Sequence, residues 1–271
     1  MALERVQELS KVFADSEKKM PVLFVGHGSP MNAIEGNDFS RAWVEAGKSL
    51  PKPDAILCIS AHWETAGTFV TAMERPKTIH DFYGFPQPLY EIEYPAPGSP
   101  ELARLTQKTV QETHVRLDQA WGLDHGTWIV LHRMFPRADI PVVQLSLDRT
   151  QTPAFHYALG RELRGLRNKG VLIVGSGNIV HNLGIMAWQD QAYDWAAEFD
   201  QTIKQLILSG DHHSIIRYQD LGEAARLSVP TNEHYLPLLY VLALQDKQEQ
   251  IRFFTDRVTF GSVSMCSLWI E

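Results

Sequence analysis

Pro21-Val22-Leu23-Phe24-Val25-Gly26-His27-Gly28-Ser29-Pro30 joins a short apolar run to a glycine-flanked histidine. Three further runs have the same build. Ala55-Ile56-Leu57-Cys58-Ile59-Ser60 is stopped by Ala-His-Trp, Val142–Leu147 by an Asp-Arg-Thr turn, and Val171–Val174 by Gly-Ser-Gly-Asn. Short, continuous runs rich in β-branched residues and bounded by turn residues read as strands buried on both faces, the pattern of a parallel sheet. Between them lie helical stretches. Ser99-Pro100-Glu101 offers an N-cap hydroxyl, a proline at the first helical position and an early acid, which predicts a helix to about His114. Others are expected over Thr152–Asn168, Ala192–Ser209 and Glu233–Gln245, with two C-terminal strands between Ile251 and Trp269 joined around Gly261. The expected fold is therefore α/β, one domain over residues 1–271 with a central, mainly parallel (mixed) sheet flanked by helices. Residues 1–20 are expected to form an N-terminal helical extension. Residues 74–98, with five prolines and several aromatics, read as a long binding loop.

Composition narrows the chemistry. The 271 residues carry Lys+Arg 25 against Asp+Glu 32, net −7, which gives no electrostatic reason to bind nucleic acid or an anionic membrane face. No apolar run has the length of a membrane span, the first twenty residues hold no apolar signal core, and the cytoplasm is the expected location. Two cysteines, Cys58 and Cys266, exclude a disulfide scaffold and a Cys₄ or Cys₃His zinc site. Eleven histidines remain as the main source of metal-binding or proton-moving groups.

Position sorts them. His27, His62 and His181 sit just past apolar runs, where open α/β sheets bind ligands beyond the carboxyl ends of their strands. If those runs are parallel neighbours, the three imidazoles converge. His234 falls at the start of a predicted helix, and His125 in a Trp-Gly-Leu-Asp-His-Gly-Thr-Trp loop. Neutral imidazoles suit Zn²⁺ and Fe²⁺, and three of them around an open position make a catalytic metal site. One histidine near a strand end is ordinarily a hydrogen-bonded loop residue, so the weight rests on the set. His212 and His213 read as a solvated turn, and His114, His132 and His156 as helical residues without a partner. His80, Trp63 and Tyr83 are candidates to line a substrate pocket, with Phe82, Phe85 and Trp128 beside them. Gly175-Ser176-Gly177 lacks the third glycine of a dinucleotide fingerprint, because Val180 stands there, and no Walker A, H-E-x-x-H, G-x-S-x-G or C-x-x-C motif occurs.

Four segments, taken in order, have a joint likeness. Gly26–Pro30, Ser60–Trp63, Trp121–Trp128 and Gly175–Asn182, followed by Thr231-Asn232-Glu233-His234-Tyr235-Leu236-Pro237, resemble the class III extradiol ring-cleaving dioxygenases, the LigB-like superfamily, and within it the 4,5-DOPA type. The resemblance runs from about residue 21 to the C-terminus. It implies one mononuclear divalent metal held by His27, His62 and His234, with Fe(II) for catalysis and Zn(II) as the ion expected in purified protein. It implies His125 and His181 as acid/base residues, with His181 or a water as a fourth ligand to zinc. Glu233 stands beside His234, and related enzymes use a carboxylate there, so either is a possible third ligand. The implied substrates are a small aromatic catechol and O₂, with L-DOPA giving 4,5-seco-DOPA, a precursor of betalamic acid. No obligatory protein partner is implied. Two other readings use the same residues: a zinc hydrolase that ionises a bound water, and a non-catalytic LigB-like binding protein.

Overall fold

In a computed structural model that describes residues 13, 14, 19–188 and 191–271, the four apolar runs are neighbours. They form β1 (Val22–Gly26), β2 (Ala55–Thr65), β5 (Val142–Asp148) and β6 (Val171–Gly177). With β3 (Thr68–Thr71), β4 (Val115–Asp118), β7 (Ile251–Thr255) and β10 (Ser267–Ile270) they make one eight-stranded sheet in the order β4-β3-β5-β2-β6-β1-β10-β7. The centre, β5-β2-β6-β1, is parallel throughout. The antiparallel pairings are β3 with β5 on one side and β1 with β10 and β10 with β7 on the other. The expected single α/β domain with a mixed, mainly parallel sheet is what forms.

Alternation along each central strand divides the core. Val22, Phe24, Leu57, Ile59, Leu145 and Ile173 face one layer, which includes the helices Pro153–Glu162, Asp194–Ser209 and Leu236–Ala243. Leu23, Val25, Ile56, Cys58, Leu172 and Val174 face the other, against the helices Asp38–Ser49 and His125–Met134. Both faces are covered, which is why these strands read as unbroken apolar runs. Leu236–Ala243 is buried at every position. Full burial of each leucine there contributes about 1.5–3 kcal/mol, so the contact fixes this helix firmly against β6.

Some expectations differ from the structure. The Pro100–Thr109 helix stops before His114, which lies in the loop ahead of β4. The predicted Glu233–Gln245 helix starts later, at Leu236, leaving His234 in the turn before it. The C-terminal stretch holds four short strands, with β8 (Val258–Thr259) and β9 (Val263–Ser264) pairing around Gly261. His212 and His213 begin a short helix, and His212 Nδ1 lies 2.8 Å from the Tyr157 hydroxyl. The expected N-terminal extension lies almost wholly outside the described residues.

Far from the histidine-bearing strand ends, Arg167 is buried and ties four segments together. Its Nε donates to the Met20 carbonyl at 2.7 Å and its Nη1 to the Leu244 carbonyl at 2.7 Å and to Glu249 Oε2 at 2.9 Å. This clamp sits where the chain enters β1 and where it leaves the Leu236–Ala243 helix for β7.

Candidate active site

The carboxyl ends of β1, β6 and β2 lie side by side, and His27, His181 and His62 come from them as the strand-end argument requires. His27 follows β1 directly, with its N–H bonded to the Gly177 carbonyl at 3.2 Å, one step past the last parallel pair. His62 lies within β2, which runs past Ser60 to Thr65. Opposite it, β2 advances from Ile59 to Glu64 while β5 advances only from Leu145 to Leu147. The extra residues bulge out, and bulges re-aim side chains beside functional sites. His181 leaves the end of β6 and donates its N–H to the Ser228 carbonyl at 2.9 Å.

His125, expected in a loop, opens the His125–Met134 helix. Asp124 caps that helix by accepting the Thr127 N–H, and it also accepts Ser60 Oγ at 2.7 Å and Gln144 Nε2 at 2.7 Å. The helix start is thereby locked to β2 and β5. Gly126 is required by closeness: a Cβ there would lie 2.5 Å from Ser60 Oγ and 2.8 Å from His62 Cδ2. His234 is held by its carbonyl, which accepts the Asn178 N–H at 2.8 Å. A Cβ on Gly177 would meet that carbonyl at 2.1 Å, so only glycine lets the two segments approach.

All five rings meet. His27 and His62 are 5.0 Å apart between centroids, His62 and His234 5.0 Å, His62 and His125 3.8 Å, and His181 stacks on His234 at 3.4 Å. The hydrogen bonds assign the protons. Ser176 Oγ donates to the Gly126 carbonyl at 2.6 Å, so its lone pair accepts His27 Nδ1–H at 3.0 Å. His27 therefore turns a bare Nε2 inward, 3.0 Å from Nε2 of His62. His234 Nδ1 donates to Glu233 Oε1 at 2.9 Å, which also accepts the Thr231 hydroxyl, leaving Nε2 of His234 bare.

Burial favours the neutral form of His27, His62, His181 and His234. Burial, with the neighbouring imidazoles, pushes His27 and His62 well below the ordinary histidine value; burial also lowers His234, against the opposing pull of Glu233. His181 is pushed down to about 2 by burial and by His234. Burial alone would raise Glu233, but the hydrogen bond from His234 and its charge outweigh it and hold the carboxyl at about 2. Asp81 is likewise held low, with burial opposed by His125. Its Oδ1 accepts the His125 N–H at 2.9 Å and lies 3.1 Å from His125 Nδ1, and its Oδ2 is 3.6 Å from His62 Nδ1.

His27, His62 and His234 each offer a ring nitrogen, and the three nitrogens lie within 4.8 Å of one another. Three uncharged imidazoles, two of which turn a bare Nε2 inward and are oriented through Nδ1 by a hydroxyl and a carboxylate, fit a divalent cation with open positions. His62–Asp81–His125 and His181–Glu233–His234 also satisfy this closeness among the described residues.

The cluster forms the floor of a cavity of about 440 Å³. Phe82, Tyr83 and Phe85 line it from the proline-rich loop, and Met186, Trp188 and Phe260 from the opposite side. Tyr83 thus reaches the cavity as expected. Trp63 and His80 do not: Trp63 is buried and stacked on Trp121 at 5.6 Å, and His80 Nε2 is bonded to the Ile92 carbonyl at 2.9 Å. Trp128 also points elsewhere, its indole N–H donating to the Ile79 carbonyl. Sequence reasoning missed Asp81, Ser176, Met186 and Trp188. Asp81 had a usable signal, since it directly follows His80 in the aromatic loop.

Known proteins similar to this chain fall together. Residues 21–267 match the family described as the catalytic LigB subunit of aromatic ring-opening dioxygenase. The 4,5-DOPA dioxygenase extradiol of Escherichia coli (strain K12) is 50% identical over 261 residues, 94% of this chain and 96% of the relative. The 4,5-DOPA dioxygenase extradiol of Beta vulgaris is 40% identical over 79% of this chain and 83% of its own length. The crystal structure of the uncharacterized protein JW3007 from Escherichia coli K12 superposes with a TM-score of 0.82 at 44% identity, covering 93% of this chain and all of that one. No described helix is long and apolar enough to cross a membrane. The chain belongs to the LigB family and is an extradiol, aromatic ring-cleaving dioxygenase of the kind that uses a mononuclear metal.

Proposed function

We propose that this enzyme opens the ring of L-DOPA with O₂ beside the diol, giving 4,5-seco-DOPA, and that His27, His62 and His234 hold one Fe(II). The observation that carries this reading is the convergence of three neutral, inward-facing imidazoles and two further histidines on the floor of an aromatic cavity. The names of the relatives support the substrate. Bound Fe(II) supplies the one-electron redox chemistry that lets O₂ react with a closed-shell ring, which Zn²⁺ does not.

The protein's own residues handle protons and position. His181, stacked on His234 at the cavity, is placed to accept a phenolic proton as the catechol settles. His125 Nδ1 lies 3.1 Å from Asp81 Oδ1, and the ring is placed at the cavity to pass a proton to the developing product. Phe82 and Phe85 pack edge to face at 5.4 Å and keep water from the wall where the ring lies. Glu233 orients His234 through Nδ1 and stays outside the ligand set.

Anaerobic metal stripping followed by Fe(II) or Zn(II) loading tests the reading. O₂ uptake with L-DOPA is expected with iron and not with zinc; equal uptake with zinc would overturn the redox role of the metal, and turnover with zinc and no O₂ uptake would point to hydrolysis instead. Glu233→Gln is expected to weaken the metal about 10–100-fold in a chelator competition, because the carboxylate no longer sets the ring's tautomer. Metal lost altogether would instead make Glu233 a ligand.

A further inference from the structure

The mouth of the cavity has a one-sided chemistry. Tyr83 is 92% exposed and Trp188 85% exposed, although both line the cavity, and Trp188 meets Phe260 edge-on at 6.4 Å. Large aromatics left this exposed cluster at recognition sites more often than elsewhere on a surface. Among the described residues, the cavity lining contains no lysine or arginine. Among the described lining residues the one acid is Asp81, tied to the His125 N–H. A catechol whose diol sits on the histidine floor sends its side chain out between these rings.

A carboxylate there would lose hydration without gaining a cation, and it would approach aromatic faces that carry partial negative charge. A protonated amine would gain from the same faces, as ammonium groups do over tryptophan and tyrosine. Resting on the ring-cleavage reading above, we propose that the cavity mouth selects catechols by side-chain charge. It accepts protonated-amine and neutral side chains and disfavours carboxylates, with Trp188 and Tyr83 as the specificity-determining residues. On this reading L-DOPA is recognised through its ammonium group and tolerated despite its carboxylate.

Three catechols with a two-carbon alkyl substituent separate charge from ring reactivity: dopamine, ethylcatechol and dihydrocaffeate. Their rings are similarly electron-rich, so differences in kcat/KM report the side chain. With Fe(II)-loaded enzyme, O₂ uptake is expected to give dopamine about tenfold or more over dihydrocaffeate, with ethylcatechol between them. Trp188→Ala, and separately Tyr83→Ala, should shrink the dopamine-to-dihydrocaffeate ratio several-fold. Dihydrocaffeate equal to or better than dopamine would overturn the proposal, as would an unchanged ratio in both variants. If metal-loaded enzyme cleaves none of the three, the ring-cleavage reading falls first and takes this proposal with it.

Discussion

His62→Ala is expected to lose bound metal and O₂ consumption together, whereas His125→Asn should keep its metal and lose about 10²–10⁴-fold in kcat. The two rings are 3.8 Å apart between centroids, yet their surroundings differ. His62 turns Nε2 toward His27 and belongs to the three-imidazole group; His125 rests against Asp81 on the far side of it. Removing His62 leaves His27 and His234 to hold a cation alone. Removing the His125 imidazole takes away a proton donor and leaves those three nitrogens in place. Elemental analysis of metal per chain beside kcat would separate the effects. A metal-free His125→Asn protein would make His62, Asp81 and His125 the binding group.

The second large effect lies at the other end of the sheet. Arg167→Met is expected to destabilise the fold by about 3–5 kcal/mol, since it strands two buried carbonyls and leaves the half-buried Glu249 carboxylate with only Lys19 and the Asp246 N–H. A loss of that size lowers Tm by about ten degrees in a chain of this length. Replacing both partners, with Glu249→Leu added, should recover part of the loss because no uncompensated charge remains. The pair also sets acid sensitivity. Burial would raise the Glu249 carboxyl, but Arg167, the Asp246 N–H and Lys19 outweigh it and hold it at about 2, against 4.5 when unfolded. The folded pKa is the lower one. This contribution is therefore complete above about pH 4.5 and is lost as pH falls toward 2, where the unfolded chain takes up the proton first. Thermal melts from pH 7 to 3 should show a smaller acid-induced drop in Arg167→Met than in the wild type. An equal drop would place the acid-labile group elsewhere.

Which parts of this structure were readable in advance follows from burial. β1, β2, β5 and β6 are covered on both faces, so their sequences are continuous apolar runs with no other explanation. β3 and β4 are four residues each near one edge, too short and too polar to stand out. The His125–Met134 helix, in which His132 reads as helical, hid its start for the opposite reason. Its residues are buried on nearly every side, which erases the apolar stripe that marks a surface helix, and it begins with His-Gly. The convergence of His27, His62 and His181 was legible because strand ends share an edge. That His125 and His234 join them came from likeness to known sequences, since nothing in their spacing shows which loops fold over the sheet. The contact by which Glu233 accepts His234 Nδ1 and the Thr231 hydroxyl could not be read from spacing, and the proposed orienting role of Glu233 rests on it.

The five imidazoles come from five separate stretches between residues 27 and 234, and no two share a helix or strand. In the language of polymer loops, the centre is a knot of long-range closures. Each closure costs chain entropy that only the finished sheet offsets. No peptide cut from the chain holds more than a fragment of the constellation, and contacts of such wide separation form late in folding. Catalytic competence is therefore a sensor of complete folding. A chain with one strand misplaced would lose the whole histidine cluster at once, rather than keep a weakened version of it.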